Sequence, residues 1–532
     1  MDRILIYDTT LRDGSQAEDI AFTVEDKLRI AHKLDAEGIP YIEGGWPGAN
    51  PKDAEFFRRI DEISFKQAKL AAFGSTRAVR NSAEQDPNLR QLVEAGTPVI
   101  TIFGKCWDMQ VTEALNTTLD DNLRMVEESV AFLKRHCDEV MFDAEHFFDG
   151  YHRNPEYALK VLTAAENGGA DWLVLCDTNG GSMPWDIEEI TRRVRAHCRT
   201  RIGVHTHNDS ELGVANALAA VRAGVEQVQG TINGYGERCG NCNLISVMAN
   251  LQLKMGRQCL TEEQLRGLKD LSNFIDEMAN KSHWNRQPFV GKSAFAHKGG
   301  VHISAIKKNR ETYEHIVPEV VGNTTRILVS EQSGKSTILS KAKEYGVDLQ
   351  ENDPRIQELV AQLKEAESLG FQYEGAEASF ELLMRDARGE IEQLYEFVGF
   401  RVIVEKRKED EAPISEATVK VRVNGVQEVT AAEGHGPVNA LDKAIRKALT
   451  KFYPELAEMS LLDYKVRILD DNQGTRARIR VLVESGDHHT TWGTVGVSED
   501  IIEASWQALI DSIQYKLNAF SQKEKVPTQT PL

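Results

Sequence analysis

The chain has 532 residues, of which 41% are hydrophobic and 27% are charged, a composition typical of soluble proteins with a sizeable core. Its 82 acidic and 63 basic residues give a formal net charge of −19, which argues against nucleic acid or an anionic membrane surface as a partner. The N-terminus has no signal-peptide pattern and no apolar run reaches about 18 residues, so we expect a cytoplasmic protein that does not span a membrane.

Strand-like and helix-like segments alternate from residue 1 to about 255. Helical candidates such as 23–38 and 210–224 separate eight short β-rich segments. The predicted strands are 3–8, 41–45, 69–74, 98–104, 139–145, 172–178, 201–207 and 226–232. Eight strand–helix units within roughly 250 residues are the expected content of an α/β fold of the (β/α)8 TIM barrel type. A doubly wound open sheet is the alternative, because alternation alone does not close a barrel.

Polar side chains follow several of these strands at the point where each strand ends. In a TIM barrel the carboxyl ends of the strands meet at one face, and this face carries the active site. We therefore expect one polar rim, formed by Arg12, Asp13, Glu145, Asp177, Thr178, His205, His207 and the segment 233–243.

The seventh predicted strand leads into two histidines one residue apart, in the segment GVHTHND at 203–209. Alternate side chains of a strand leave the same face, so His205 and His207 can converge on one point, whereas in a helix they would diverge by about 200°. Such a pair alone is more often a packed or surface pair of histidines than a metal site. Strands one and seven lie close together in a closed barrel, so the carboxylate of Asp13 can reach the two histidines. This added anion favours a site for a divalent metal ion.

Residues 256 to about 415 lack this alternation and are expected to be mostly helical and charged. They include a glycine-rich turn at 295–306 that carries His297 and His302. A charged, proline-containing segment at 405–416 is interpreted as a linker.

An internal repeat follows, from residue 417 to about 520. In each half, β-rich segments precede an amphipathic helix, at 434–449 in the first half and at 496–513 in the second. Two such halves predict a small α+β sandwich with pseudo-twofold symmetry.

Six motifs occur in a fixed order along the chain. They are DTTLRDGSQ at 8–16, AEHFFDGY at 144–151, DTNGG at 177–181, HTHND at 205–209, GYGERCGNCNL at 234–244 and AHKGGVHISA at 296–305. This set, followed by the C-terminal repeat, resembles the family of 2-isopropylmalate, homocitrate and citramalate synthases over nearly the whole chain. Two further segments, EGGWPGANPKDAEFF at 43–57 and ITIFGKCWD at 100–108, are most similar to the longer citramalate synthases of that family.

The resemblance implies a divalent metal centre with an α-keto acid site beside it. Arg12 would bind the carboxylate of the α-keto acid, and Thr178 would add a hydrogen bond. The ion would be Mn²⁺, Mg²⁺, Zn²⁺ or Co²⁺. The implied metal ligands are Asp13, His205, His207 and Asn241.

The resemblance also implies acid–base residues and a homodimer. Glu145 and His302, assisted by Tyr313, would act near the methyl group of an acetyl thioester. The corresponding residues of such enzymes reach the barrel of a neighbouring chain, so His302 and Tyr313 imply a dimer. The expected domains are a catalytic barrel, a helical linker region that completes the active site and a C-terminal regulatory domain, at 1–275, 276–415 and 416–532.

The implied reaction condenses acetyl-CoA with pyruvate, giving (R)-citramalate and CoA on a route to isoleucine. Isoleucine is then the expected effector of the C-terminal domain, at residues that the sequence does not identify. The nearest alternative is a 2-isopropylmalate synthase, which would use 2-oxoisovalerate on a route to leucine, and Phe103 and Asp143 are candidates for lining the acceptor pocket. A hydroxyacyl-CoA lyase of the same barrel superfamily fits less well, because no Gly-Cys-Pro-like loop is present. A non-catalytic amino-acid sensor would leave the polar rim without a role.

Several of these residues also have a purely structural alternative. Arg12 could form an ion pair with Asp13 or Glu43, and Glu145 and Asp143 could be solvated charges at the barrel rim.

Overall fold

The computed structural model describes residues 3–329, 334–469 and 477–525. The chain divides into two compact units by its internal contacts. The first comprises Met1–Phe295 and Glu314–Thr325, and the second comprises Ala296–Tyr313 and Arg326–Leu532. Among the described helices, none combines the length and the apolar character needed to cross a bilayer.

The first unit contains a closed barrel of parallel strands. In chain order they are β1 (Leu5–Asp8), β2 (Tyr41–Gly45), β3 (Lys69–Ser75), β4 (Val99–Lys105), β5 (Glu139–Glu145), β6 (Trp172–Asp177), β7 (Arg201–Thr206) and β8 (Gln227–Gly230). Each strand pairs with the next, and β8 pairs with β1 from Leu5↔Gln227 to Asp8↔Gly230. This closure confirms the predicted TIM barrel and excludes the open sheet. All eight predicted strands are present.

Helices connect the strands and continue beyond the barrel. Thr23 and Asp26 form a capping box that starts the first helix, and Gly224, in the left-handed region at φ 103°, follows the eighth. The helices of the first unit are α1 (Val24–Ala36), α2 (Pro51–Arg59), α3 (Pro87–Glu94), α4 (Leu119–Leu133), α5 (Phe147–Arg153), α6 (Pro155–Gly168), α7 (Pro184–His197), α8 (Gly213–Arg222), α9 (Leu244–Leu253), α10 (Glu262–Arg266) and α11 (Leu268–Met278).

Side chains fill the inside of the barrel, so it is a packed core rather than a pore. This inner cluster consists of the buried residues Tyr7, Tyr41, Ala71, Val99, Met141, Trp172, Val174 and Cys176. A second, larger apolar layer lies between the strands and the surrounding helices. The polar residues that follow the strands are therefore held on a rigid base.

The second unit begins with two short parallel strands and four helices. The strands β9 (Ala296–His297) and β10 (Arg326–Ile327) pair with each other. The helices are α12 (Gly300–Lys308), α13 (Lys335–Glu344), α14 (Arg355–Ser368) and α15 (Glu377–Asp386).

Two three-stranded antiparallel sheets follow, each completed by a helix. The first half consists of β11 (Glu396–Glu405), β12 (Ile414–Val423), β13 (Val426–Gly434) and α16 (Pro437–Leu449). The second half consists of β14 (Ser460–Ile468), β15 (Ile479–Gly486), β16 (Thr491–Ser498) and α17 (Ile501–Lys525). The two halves have the same order of elements, which confirms the predicted α+β repeat.

The strand β11 corrects the sequence-based prediction for 256–415, which expected helices and a linker there. It pairs with β12 from Glu396↔Arg422 to Glu405↔Ile414, so the charged segment after residue 405 is a connection within one sheet. A domain boundary at 415 would separate these paired strands. The pattern was missed because β11 lies at a sheet edge and its side chains are mostly exposed, which leaves no clear alternation of apolar and polar residues.

Candidate active site and metal centre

Three of the four predicted metal ligands converge inside the barrel rim. One ligand atom each of Asp13, His205 and His207 lies within 4.8 Å of the others. The Nε2 atom of His205 is 3.4 Å from Oδ2 of Asp13 and 3.3 Å from Nε2 of His207. All three residues are buried, with 4–6% of their surface exposed. Strand geometry accounts for the histidine pair, since His205 lies in β7 and His207 continues it as a bridge residue, so that both side chains leave the same face.

The fourth predicted ligand, Asn241, lies beside His207 on the neighbouring chain segment. The two residues form an antiparallel β-bridge, flanked by backbone hydrogen bonds from Asn208 N to Gly240 O at 2.9 Å and from Cys242 N to Thr206 O at 2.8 Å. The Nδ2 group of Asn241 donates to the carbonyl oxygen of Tyr235 at 3.2 Å.

The amide oxygen of Asn241 is the observation that tests whether this site suits a metal ion. It is buried and has no hydrogen-bond partner among the residues that the structure describes. A buried acceptor without a partner costs free energy, about 1–3 kcal/mol, unless a ligand or solvent satisfies it. Two imidazole nitrogens, one carboxylate and one amide oxygen form a donor set that first-row divalent ions and Mg²⁺ accept. The residues present therefore fit a divalent ion.

The electrostatics of the site favour a neutral His207 and an ionised Asp13, which are the forms that bind a metal, but they do not favour a neutral His205. Burial, together with the neighbouring His205, lowers the pKa of His207 to about 3, so this imidazole is neutral. Burial alone would raise the pKa of Asp13, but the guanidinium of Arg12 and the neighbouring His205 hold it well below its usual range. Burial opposes the charged form of His205, yet Asp13 raises the pKa of this imidazole.

Arg12 is held rigidly at the edge of the same site. Its Nε donates to Oε1 of Glu43 at 2.6 Å, its Nη1 lies 3.2 Å from Oδ2 of Asp13, and its Cζ lies 3.7 Å from the ring centre of Phe73. Glu43 is fully buried and also accepts a hydrogen bond from the hydroxyl of Thr9 at 2.5 Å. Both ion pairs considered from the sequence are therefore formed, and they orient the guanidinium.

Aromatic side chains from the ends of β2 to β4 form a wall next to Arg12. The rings of Phe73 and Phe103 stack with centres 5.6 Å apart, and Trp46 packs edge-on against Phe103 at 5.8 Å. Phe103, a predicted pocket residue, therefore stacks on Phe73, and the guanidinium of Arg12 lies over the ring of Phe73.

Glu145 and Thr178 stand at the ends of β5 and β6. Glu145 forms an ion pair with Lys105 at the end of β4, and its side chain is 22% exposed. The hydroxyl oxygen of Thr178 accepts a hydrogen bond from the backbone N–H of His146 at 2.9 Å, while its O–H remains able to donate. Lys105 was not recognised from the sequence, although it directly follows the fourth predicted strand and ends the observed β4.

Asp143 and Gln229 are both buried inside the barrel. Asp143 is 4% exposed rather than solvated, and burial raises its pKa to about 7, against the opposing influence of His205 and Arg12. Gln229, which sequence reasoning missed, lies between His205 and Asp143. The sequence signal that could have identified Gln229 is a polar residue at an inward-facing position of a strand that is expected to be buried.

His302 and Tyr313 belong to the second unit, whereas all the rim residues belong to the first. Their rings stack on each other with centres 4.0 Å apart. Both side chains are exposed, Tyr313 by 44%. The structure therefore pairs these two predicted residues with each other.

Three family profiles match consecutive parts of the chain. They are HMGL-like at residues 3–275, homocitrate synthase post-HMGL domain-like at 289–369, and LeuA allosteric (dimerisation) domain at 374–517. The chain is 58% identical over 524 residues to the (R)-citramalate synthase of Geobacter sulfurreducens, with 98% of this chain and 99% of that protein aligned. The chain belongs to the (R)-citramalate synthase family.

Two further relatives show how the similarity differs between the two kinds of synthase. The (R)-citramalate synthase of Aquifex aeolicus is 55% identical over 517 residues, which cover 97% of this chain and 98% of that protein. The 2-isopropylmalate synthase of Methanocaldococcus jannaschii is 30% identical over 523 residues, covering 96% and 94%. The predicted resemblance to the (R)-citramalate synthase family is confirmed, and the 2-isopropylmalate alternative corresponds to a more distant relative.

Proposed function

We propose that the chain is a metal-dependent acyltransferase that condenses acetyl-CoA with pyruvate, giving (R)-citramalate and CoA. The observation that carries this proposal is the buried cluster of Asp13, His205 and His207 beside the oriented guanidinium of Arg12. In a member of the (R)-citramalate synthase family, such a cluster supplies an electrophilic site next to a site for a carboxylate. A cytoplasmic location stays a prediction.

The divalent ion would be held by the oxygens of Asp13 and Asn241 and by the imidazoles of His205 and His207. When bound, it would supply Lewis-acid polarisation of the ketone oxygen of pyruvate. Arg12 then has the role of pairing with the pyruvate carboxylate, for which its fixed position against Phe73 and Glu43 orients the guanidinium before substrate arrives. Thr178 would donate its remaining O–H to the same substrate.

Carbon–carbon bond formation requires a base for the acetyl methyl group. We assign this acid–base role to Glu145, which forms an ion pair with Lys105, and to His302. In a homodimer, His302 and the Tyr313 ring stacked on it would both come from the neighbouring chain. The proton leaves the methyl carbon, the carbon attacks the ketone, and the resulting alkoxide is protonated. Water then cleaves the thioester, which releases CoA and makes the reaction effectively irreversible.

The acceptor preference provides the direct test of this function. Release of free CoA thiol from acetyl-CoA is measured with pyruvate, 2-oxobutyrate and 2-oxoisovalerate at equal concentrations. We expect pyruvate to give the highest kcat/KM, because the aromatic wall of Phe73 and Phe103 beside Arg12 suits a small acceptor side chain. The highest kcat/KM with 2-oxoisovalerate would identify a 2-isopropylmalate synthase instead, and CoA release without any acceptor would point to a different reaction.

The repeat in the second unit is proposed to bind isoleucine as a feedback inhibitor. Support comes from the match of residues 374–517 to an allosteric domain and from the route that citramalate opens towards isoleucine. We expect titration calorimetry on the full chain to detect isoleucine more strongly than leucine or valine. Inhibition should reflect a coupling of about 1–3 kcal/mol, or roughly 5- to 150-fold.

The design of this titration follows from the sheet topology. A fragment that starts at residue 416 would lack β11, which pairs with β12, so the full chain is the appropriate sample. If none of the three amino acids binds and the kinetics stay unchanged in their presence, the repeat has no such regulatory role.

A further inference from the structure

Gln229 connects a metal ligand to a buried carboxylate inside the barrel. Its Oε1 lies 3.0 Å from Nδ1 of His205, and its Nε2 donates to Oδ1 of Asp143 at 3.2 Å. Gln229 is fully buried on β8, and Asp143 is 4% exposed on β5. The three side chains therefore form a continuous hydrogen-bonded chain that ends at the proposed metal centre.

The chemistry of the partners fixes the direction of this chain. In the structure the amide nitrogen of Gln229 faces Oδ1 of Asp143, an oxygen that can accept a hydrogen bond whether or not the carboxyl group is protonated. The amide oxygen then faces His205, and an oxygen can only accept, so Nδ1 of His205 must carry the proton. In the neutral imidazole, which is the form that binds a metal, the lone pair of His205 is therefore on Nε2, the atom that faces Asp13 and His207.

His205 and His207 differ in whether a protein side chain binds the Nδ1 atom of the ring. Nδ1 of His207 is buried and has no hydrogen-bond partner among the described residues. Of the two imidazoles, His205 is thus the one whose ring orientation and tautomer are set by a protein side chain. Removal of Gln229 should therefore weaken metal binding and not only alter the packing of the barrel.

We propose that Gln229 is a positioning residue for the metal centre, which holds His205 in the tautomer and orientation that present Nε2 to a divalent ion. This assignment rests on the proposed metal-dependent function. Residues that bind the second nitrogen of a histidine ligand typically change metal affinity about 10- to 100-fold when they are removed. Gln229 acts through His205 and is not itself assigned to contact substrate.

The neighbouring residue Gln227 offers a matched control. It is also a fully buried glutamine on β8, two residues away and facing the same way along the strand, but its amide approaches Met141 instead of a metal ligand. A purely structural role would make Gln227→Met and Gln229→Met equivalent in their effects.

The test measures the affinity of metal-free, full-length protein for Mn²⁺ by electron paramagnetic resonance of the free ion. We expect Gln229→Met to bind Mn²⁺ about 10- to 100-fold more weakly than the wild type, and Gln227→Met to bind it within twofold. Gln229→Glu should retain most of the affinity, because a carboxylate still accepts the proton of His205. Thermal unfolding of each metal-free variant separates this effect from loss of stability.

Gln229→Asn covers the case in which Gln229→Met does not fold. It keeps an amide but is one methylene shorter, so it cannot span His205 and Asp143, and we expect weaker Mn²⁺ binding as well. Wild-type affinity in a folded Gln229→Met or Gln229→Asn variant would overturn the assignment, as would an equal loss in Gln227→Met. Failure of the wild type to bind Mn²⁺ at all would instead overturn the proposed metal-dependent function together with it.

Discussion

Replacement of His207 by alanine is expected to abolish turnover at ordinary concentrations of divalent metal while leaving the barrel folded. Burial and the neighbouring His205 keep this imidazole neutral, and its Nε2 lies 3.3 Å from that of His205, so its removal takes one nitrogen from the proposed ligand set. Metal content after dialysis, measured by mass spectrometry, and CoA release with pyruvate are the two readouts. Chelation of the wild type with EDTA should give the same inactive state, and added Mn²⁺ should restore the wild type.

His197→Ala is a suitable control for this experiment. His197 is an exposed histidine at the end of α7 that contacts the hydroxyl of Thr163, and it has no part in the rim. The His197→Ala variant should keep both its metal and its activity. Full activity of His207→Ala in EDTA would show that the proposed ion is not required.

A second large effect is expected for Glu145→Gln. This change keeps the size of the side chain but removes its basicity, so it should lower kcat about 100-fold or more if Glu145 takes or gives a proton in the reaction. The KM for pyruvate should change little, because Arg12 and the metal ligands are untouched. Steady-state kinetics with acetyl-CoA and pyruvate at saturating metal check this split between kcat and KM.

Glu139→Gln provides the matched comparison, because Glu139 begins the same strand that Glu145 ends. Each glutamate forms an ion pair with a lysine, Lys69 for Glu139 and Lys105 for Glu145. Loss of Glu139 should therefore report the structural cost of removing such a pair, without an effect on kcat. An unchanged kcat in Glu145→Gln, or an equal fall in both variants, would remove Glu145 from the mechanism.

Much of the barrel was predictable because its strands carry short apolar runs at regular intervals. The histidine pair was predictable for a local reason, since the spacing of two residues along a strand places His205 and His207 on one face. Their meeting with Asp13 followed from closure of the barrel, which pairs β8 with β1. Asn241 was accessible only through resemblance to a known family.

The missed features depend on contacts between segments that are distant in sequence. The hydrogen bond from Gln229 on β8 to Asp143 on β5 joins residues 86 apart in sequence, and a single glutamine in a strand gives no indication of its partners. Lys105 became meaningful only beside Glu145, on the adjacent strand. The burial of Asp143 depends on the whole cross-section of the barrel, which no local pattern reports.

The backbone bridge between His207 and Asn241 has a consequence for how the proposed metal ion would be acquired. Hydrogen bonds on both sides of the bridge, from Asn208 to Gly240 and from Cys242 to Thr206, set the spacing of these two residues through the main chain. The main chain thus sets the spacing of two of the four proposed ligands without a contribution from an ion, whereas small metallodomains fold only around their ion. Under the proposed metal-dependent function, an ion would therefore bind after the barrel has folded, and exchange of one divalent ion for another would not require refolding.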